Sequence, residues 1–381
     1  MKYKVVIVGA GPTGLALGAE LKRLGISSLI LDRLEAGANT SRAAAIHART
    51  LEVLEPLGVT ADLLREGLII PTLHVRDRDH ILANLSFKGL KTRYPFVLAC
   101  SQARTEALLL EKLRSLGGDV QRPCEVIAIS PGEQSVQVQF RTSKELKTVE
   151  TEWLVGCDGM HSLVRQQAHI SYAGGEYKEA FVLADVEMDW PFGRGEGNLF
   201  LSKEGLVAVI PLPGAIFRII ATVTHSSPSL GISDFEQLLK ERGPESPTDI
   251  HRMIWASRFH IEHHVASVMR KGRILLAGDA AHVHSPAGGQ GMNTGIQDAI
   301  ALAAALREGS EEALESWQKK RLEIAHSVVK LTDRLTKVVA ASSPGARLVR
   351  NLVIRLVARI PFIEHALVRK LAELDIKSSQ Q

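Results

Sequence analysis

Cysteine is scarce in this chain: its 381 residues include three, Cys100, Cys124 and Cys157. Odd in number, widely spaced and without a C-x-x-C pair, they exclude a disulfide framework, a cysteine-rich zinc site and a dithiol redox motif, and they read as free thiols in a reducing compartment. Aromatic residues amount to 5%, which weighs against a cavity built from stacked rings. No run reaches the roughly 20 apolar residues needed to span a bilayer. The apolar stretch Val5 to Val8 is broken at Gly9, too early for a signal peptide. Excess charge is missing too, since 46 Lys and Arg stand against 42 Asp and Glu. Residues 341–381 hold seven cations and three anions, so this tail accounts for the whole formal +4 and the body is near neutral. Basic residues are not grouped with aromatics, so no nucleic-acid partner is expected. The expectation is a cytoplasmic, globular protein.

With 45% hydrophobic residues, the chain can bury one large core or two interlocked ones. Val5 to Val8 is continuously apolar, as a buried parallel strand is. Gly9-Ala10-Gly11-Pro12-Thr13-Gly14 follows, then Leu15 to Leu24 with helical spacing, Gly25 as a stop, and a second strand from Ser28 that ends at Asp32. In this β-α-β unit the G-x-G-x-x-G glycines permit a tight turn, close approach to a pyrophosphate and close helix–strand packing. The helix N-terminus favours negative charge, and Asp32 stands where a ribose hydroxyl pair is held. A dinucleotide is expected, and the motif serves NAD and FAD alike. Thr50 to Leu57 and Ala103 to Leu116 read as helices, Ser135 to Phe140 alternates as a half-buried strand, and Trp153 to Gly156 is an apolar strand. Phe181 to Val186, Leu206 to Pro211 and Phe217 to Thr224 are strand-like and separated by Gly and Pro, as in a separate, mostly antiparallel sheet. Beyond Asn293 nearly everything to Leu374 has a helical pattern.

Three further segments carry chemistry. An apolar strand from Arg273 runs into Gly278-Asp279, followed by the loop Ser285-Pro286-Ala287-Gly288-Gly289-Gln290-Gly291-Met292 and a helix beginning near Asn293. A strand-end carboxylate there suits a sugar-like hydroxyl, while bare amides of a glycine loop suit a flat ring. Arg42 follows a flexible Gly/Ala/Asn stretch and could reach the pyrophosphate through a charge-assisted contact; a solvated surface arginine explains it as well. Cys157-Asp158-Gly159, with Ser162 and Arg165 in helical register, reads either as a ligand-organising turn or as a plain Asp-Gly turn.

Taken in order, Gly9 to Gly14 with Asp32-Arg33, Cys157-Asp158-Gly159, and Gly278-Asp279 with Pro286 and Gly288 to Asn293 resemble the FAD-dependent aromatic monooxygenases of the 4-hydroxybenzoate hydroxylase type. The segment from Arg42 to Gly58 and Gln102 before its helix are similar to that family as well, so the resemblance covers nearly the whole chain. It implies an α/β fold: a Rossmann-like FAD-binding domain (1–70, 96–175 and 270–310), an inserted mainly antiparallel β-sheet substrate domain (71–95 and 176–269), and a C-terminal helical segment (311–381). It also implies that Gly9, Gly11, Pro12, Thr13 and Gly14 hold the FAD pyrophosphate, Asp32 the adenosine ribose, and Arg33, Arg42, Gln102 and Val126 the adenine and pyrophosphate side. Asp158 would support the pyrophosphate and the handling of NADPH or NADH. Gly278 and Asp279 would take the ribityl chain, and Pro286, Gly289, Gly291, Met292 and Asn293 the isoalloxazine edge.

The implied chemistry is hydroxylation of an aromatic, phenol-like substrate by NAD(P)H and O2 through a flavin C(4a)-hydroperoxide. Two alternatives stand beside it: a flavin-dependent reductase of a prenyl or quinone-like lipid, and a non-catalytic escort on the same scaffold. Val207, Val209 and Ile210 are candidate cavity walls, although a sheet core explains them equally well. His225, Arg218 and His74 come into question as a base, and none is assigned. In the tail, Val349, Leu352, Val353, Leu356, Val357 and Ile360 fall on one helical face, and Arg347, Arg350, Arg355 and Arg359 on the other. Such a basic amphipathic helix can lie on an anionic membrane; the resemblance favours a cap that buries the apolar face and exposes the arginines. A monomer or homodimer is expected.

Overall fold

A computed structural model describes residues 2–37, 43–223, 230–339, 344–358 and 360–375. Arg42 and His225 lie outside the described residues, as do the side chains of Arg347, Val357 and Arg359. Strand β1 (Lys2–Val8) is the centre of the first sheet, and Val5, Val6 and Ile7 are wholly buried in it. Helix α1 (Pro12–Arg23) crosses over to β2 (Ser28–Leu31), which pairs parallel to β1. Gly18 lets α1 lie flat on the sheet, because a Cβ there would stand 2.3 Å from Ile30. On the other side of β1 runs β3 (Leu146–Gly156), also parallel, bringing Gly156 beside Val8. The first and second glycine motifs therefore leave adjacent strands at the same sheet edge.

The second sheet is laid on two 17-residue strands, β4 (Tyr172–Met188) and β8 (Ile250–Ala266), which pair antiparallel. Between them in the chain come β5 (Gly197–Leu201), β6 (Leu206–Pro211), β7 (Ile216–Val223) and a helix, α2 (Ile232–Arg242). The strand-based reading makes no provision for α2, whose Phe235, Leu238 and Leu239 cover one face of this sheet. The sheet is not purely antiparallel, since β5 pairs parallel to Thr72–Asp77. After β8 the chain returns through β9 (Ile274–Leu276), parallel to β3. Helix α3 (Gly291–Glu308) packs on α1, and α4 (Glu311–Val339), α5 (Pro344–Ala358) and α6 (Pro361–Leu371) complete the chain.

Helix α5 corrects the expectation of a cap. Arg350 faces inward and is buried, donating to the Leu201 carbonyl at 3.4 Å, and Asn351 Nδ2 donates to Asp77 Oδ2 at 2.9 Å. Ile354 and Ala358 pack on the second sheet beside them. The apolar stripe Val349, Leu352, Val353 and Leu356 faces outward. A helical period separates two faces without saying which one meets the body, and short side chains with polar anchors won the contact here.

Candidate functional site

The two outer glycines of the first motif answer to the protein's own packing. Gly9 sits at φ +100°, and a Cβ on it would meet the Cys157 carbonyl oxygen at 2.3 Å; one on Gly14 would stand 2.0 Å from the Gly9 oxygen. Gly11 differs, because a Cβ there would meet nothing within 4 Å. It is the N-cap of α1, has no side-chain cap, and is followed by Pro12 at the first helical position, so no side chain of its own covers the helix start. Thr13 joins this motif to the third: a Cβ on Gly278 would come within 2.5 Å of its hydroxyl, and one on Gly295 within 2.4 Å.

Asp32 closes the loop from below. Its carboxylate accepts from Ala10 N at 2.7 Å and Leu34 N at 2.9 Å. Arg122, which the sequence reading passed over, places Nε 3.8 Å from Asp32 and donates to the Ala10 carbonyl at 3.2 Å. Gln102 Oε1 accepts from Ala43 N, and its Nε2 donates to Glu106 at 2.9 Å. Burial raises the Glu106 carboxyl above its ordinary range, against the pull of Gln102 and Arg122. Val126 is buried in strand Glu125–Pro131, whose approach is fixed by Cys124 N donating to the Asp32 carbonyl at 2.7 Å. Arg33 is exposed at the following bend. Asp158 spends its carboxylate locally: Ser162 Oγ donates at 2.5 Å and Val164 N at 3.1 Å. What it offers a ligand is the loop it organises.

The third motif rests on Asp298. This buried carboxylate accepts from Gly278 N at 3.1 Å, contacts His282 Nε2 at 2.6 Å and pairs with Arg321. Burial alone would raise its carboxyl, but Arg321 and His282 outweigh it and hold it at about 2. Asp279 is exposed at the turn, and its carbonyl accepts from the Tyr172 hydroxyl at 2.8 Å. The helix expected from Asn293 starts at Gly291, and no side chain caps it. Asn293 is fully buried: it accepts from His47 N at 2.9 Å and donates to the carbonyls of Ala45 and Gly289 at 2.8 and 2.7 Å. Its side chain therefore holds the loop, leaving its backbone and that of Met292 at the helix start. Gly288 and Gly289 both take left-handed φ, and Pro286 is half-buried beside them.

Two histidines at this loop escaped the sequence reading. His47 Nε2 contacts the Gly288 carbonyl at 2.8 Å, and His284 Nδ1 the Ser285 carbonyl at 3.0 Å. Burial is the first cause lowering both to about 4, so both rings are neutral. His47 Nδ1 and His284 Nε2 are buried and find no hydrogen-bond partner among the described residues.

The candidate walls need correction. Val207 and Val209 belong to the core beneath α2, and Ile210 lies on the opposite face. That opposite face carries Ile220, Ala208 and Leu199 in one cross-strand row, with Arg218 paired to Asp185 in the next. Arg218 is wholly buried and donates twice to Asp185, at 2.7 and 2.8 Å, while Trp255 Nε1 donates to the same carboxylate at 2.8 Å. Arg218 is thus a committed ion-pair partner, not a base. His74 is engaged with Glu196 at 2.9 Å.

Residues 2–332 match the family described as FAD binding domain. The chain belongs to the FAD-dependent aromatic monooxygenases. It is 35% identical over 390 residues to the uncharacterized aromatic compound monooxygenase YhjG of Bacillus subtilis (strain 168), covering 99% of this chain and 76% of that one. It is 34% identical to the 6-methylpretetramide 4-monooxygenase of Streptomyces rimosus, over 88% of this chain and 62% of that longer relative. Among solved structures it resembles the OxyS anhydrotetracycline hydroxylase from Streptomyces rimosus, with a TM-score of 0.84, 32% identity, and coverage of 99% and 77%.

FAD is the cofactor of this monooxygenase. The residues fit such a group on the structure's own terms: open space over Gly11, two uncapped helix starts at α1 and α3, and a glycine loop bracketed by two buried ring nitrogens without a partner among the described residues. No helix among the described residues is long and apolar enough to cross a membrane.

Proposed function

We propose that this monooxygenase hydroxylates a phenol-like aromatic or polycyclic substrate with NAD(P)H and O2, acting in the cytoplasm as a monomer or homodimer. Its FAD-binding part comprises 1–70, 96–175 and 270–310, its substrate part 71–95 and 176–269, and its helical part 311–381. The observation that carries the reading is the junction at Thr13, where Gly278 and Gly295 close on the first glycine loop, so that the first and third motifs are neighbours in space. When bound, FAD supplies the redox chemistry, accepting a hydride from the nicotinamide and activating oxygen. The protein's part is binding, orientation and exclusion of water. The α1 amides around Gly11 take the pyrophosphate, Asp32 the ribose, and Asp279 the ribityl hydroxyls. The amides of Met292 and Asn293, at the uncapped start of α3, face negative charge on the ring as helix N-termini do. Gly289, Gly291 and Pro286 would shape the ring edge, with Gln102, Val126 and the exposed Arg33 on the adenine side; Arg42 keeps the pyrophosphate role that the resemblance implies. Arg122 joins that set from its place between Asp32 and Ala10. The face bearing Leu199, Ala208 and Ile220 supplies an apolar wall for the substrate, as water exclusion requires.

The test is the visible spectrum of the holoenzyme taken anaerobically with NADPH, then in air with candidate phenols under labelled O2. Bleaching, recovery in air and a product carrying one labelled oxygen are expected. A colourless protein that cannot be loaded with FAD, or a product without added oxygen, would overturn the reading.

A further inference from the structure

Among the described residues twelve large hydrophobic side chains are exposed, and seven of them lie between Val349 and Ile363. Val349, Leu352, Val353 and Leu356 form one outward stripe on α5, and Ile360 and Phe362 continue it across the turn into α6, Phe362 at 82% exposure. Ile81 on the neighbouring strand is 49% exposed as well, in a groove that it lines with Asn84, Arg355 and Ala358. Contiguous apolar surface of this kind marks an interaction site rather than ordinary surface scatter. Its rim is basic: Arg355 and Lys370 are exposed on the two helices, and Lys88 is exposed just beyond Ser86, where Glu364 anchors α6. The acidic residues nearby are occupied, Glu364 by Ser86 N and Asp375 by Arg369.

We propose that the α5–α6 face docks on an anionic lipid surface. Apolar side chains on one side of a helix pair with cations around them match a bilayer's acyl region and its anionic headgroups. A second copy of the chain matches less well, because a two-fold interface sets each patch against itself and brings Arg355 and Lys370 near their own counterparts. The assignment places the protein on a membrane, not through it.

The experiment is co-sedimentation of the FAD-loaded protein with vesicles of phosphatidylcholine alone or mixed with phosphatidylglycerol, alongside light scattering of the free protein. The native chain is expected to sediment with the anionic vesicles, less as salt is raised, and to remain in solution with neutral ones. Leu352→Glu with Phe362→Glu should abolish sedimentation while keeping the native melting temperature and flavin spectrum. Should that variant fold poorly, Arg355→Glu with Lys370→Glu leaves the apolar stripe intact and should weaken partitioning roughly tenfold or more. No sedimentation of the native protein with anionic vesicles would overturn the proposal. So would a native dimer that the Leu352/Phe362 variant converts to monomer, since the face would then belong to a second copy.

Discussion

Gly9 and Gly11 stand two residues apart and carry opposite expectations. At Gly9 any side chain collides with the Cys157 carbonyl in a left-handed backbone, so Gly9→Ala should cost stability outright. Gly11 has φ −73° and ψ −174°, a conformation valine adopts readily, and open space beyond. Gly11→Val should therefore fold with a native melting temperature yet fail to retain FAD, as flavin absorbance after gel filtration will read; full flavin retention would remove Gly11 from the pyrophosphate site. Asp298 tests the third motif in the same way. Asp298→Asn leaves Arg321 buried without a counter-charge, a loss on the order of 3–5 kcal/mol, and weakens the hold on Gly278 N. Calorimetry should show a lower melting temperature and fluorescence a faster release of flavin. An unchanged melting temperature would mean that the ion pair does not support the turn.

At the scale of elements, the end of α6 clamps the ring loop. Gln290 Nε2 donates to the Leu371 carbonyl at 3.0 Å, Arg49 N donates to the Ala372 carbonyl at 3.3 Å, and buried Glu373 accepts from Thr294 Oγ1 at 3.1 Å and from Gln297. Burial comes first among the influences on Glu373 and lifts it from the ordinary 4.5 to about 8, although Thr294 and Gln297 pull it down. A raised acid is stabilising in its neutral form, so its contribution is complete below pH 4.5 and is lost as pH rises through about 8. Across that window melting should weaken by up to about 1.4 kcal/mol per pH unit, and Glu373→Gln should flatten the slope; an identical slope in the variant would clear Glu373 of the effect. The contrast with the first motif shows what sequence can reveal. Gly9 to Asp32 is local, so spacing alone exposed its strand, turn, helix and acid. Glu373, His47 and Arg122 act through partners 76 to 241 residues away, or 112 in the case of Arg122, and local periodicity holds no trace of such pairings. The outward stripe of α5 was visible as a stripe, and only the anchors Arg350 and Asn351 decided its direction.

For the whole molecule, the consequence is that the last described helix closes on the first motifs of the chain. The loop of residues 43–47 is held by Asn293, that residue's helix is held by Glu373, and the helix before Glu373 is α6, which exposes Phe362 and Ile363. A chain ending at residue 343 loses α5, α6 and the clamp together, while the parallel sheet of β1, β2, β3 and β9 keeps its own pairings. Each hydrogen bond of the clamp contributes about 1 kcal/mol, so the shortened chain should fold but bind FAD on the order of tenfold or more weaker. Its melting temperature should recover as FAD is added in excess, since ligand binding stabilises by mass action. The full-length Leu352→Glu/Phe362→Glu variant is the control, because it alters the same helices on their outer face and leaves the clamp in place. If both proteins lose FAD equally, the helices act through their surface; if only the shortened chain does, the clamp is what ties the tail to the flavin loop. Equal FAD affinity in the shortened and native chains would show that the loop is held by Asn293 and Asp298 without help from the tail.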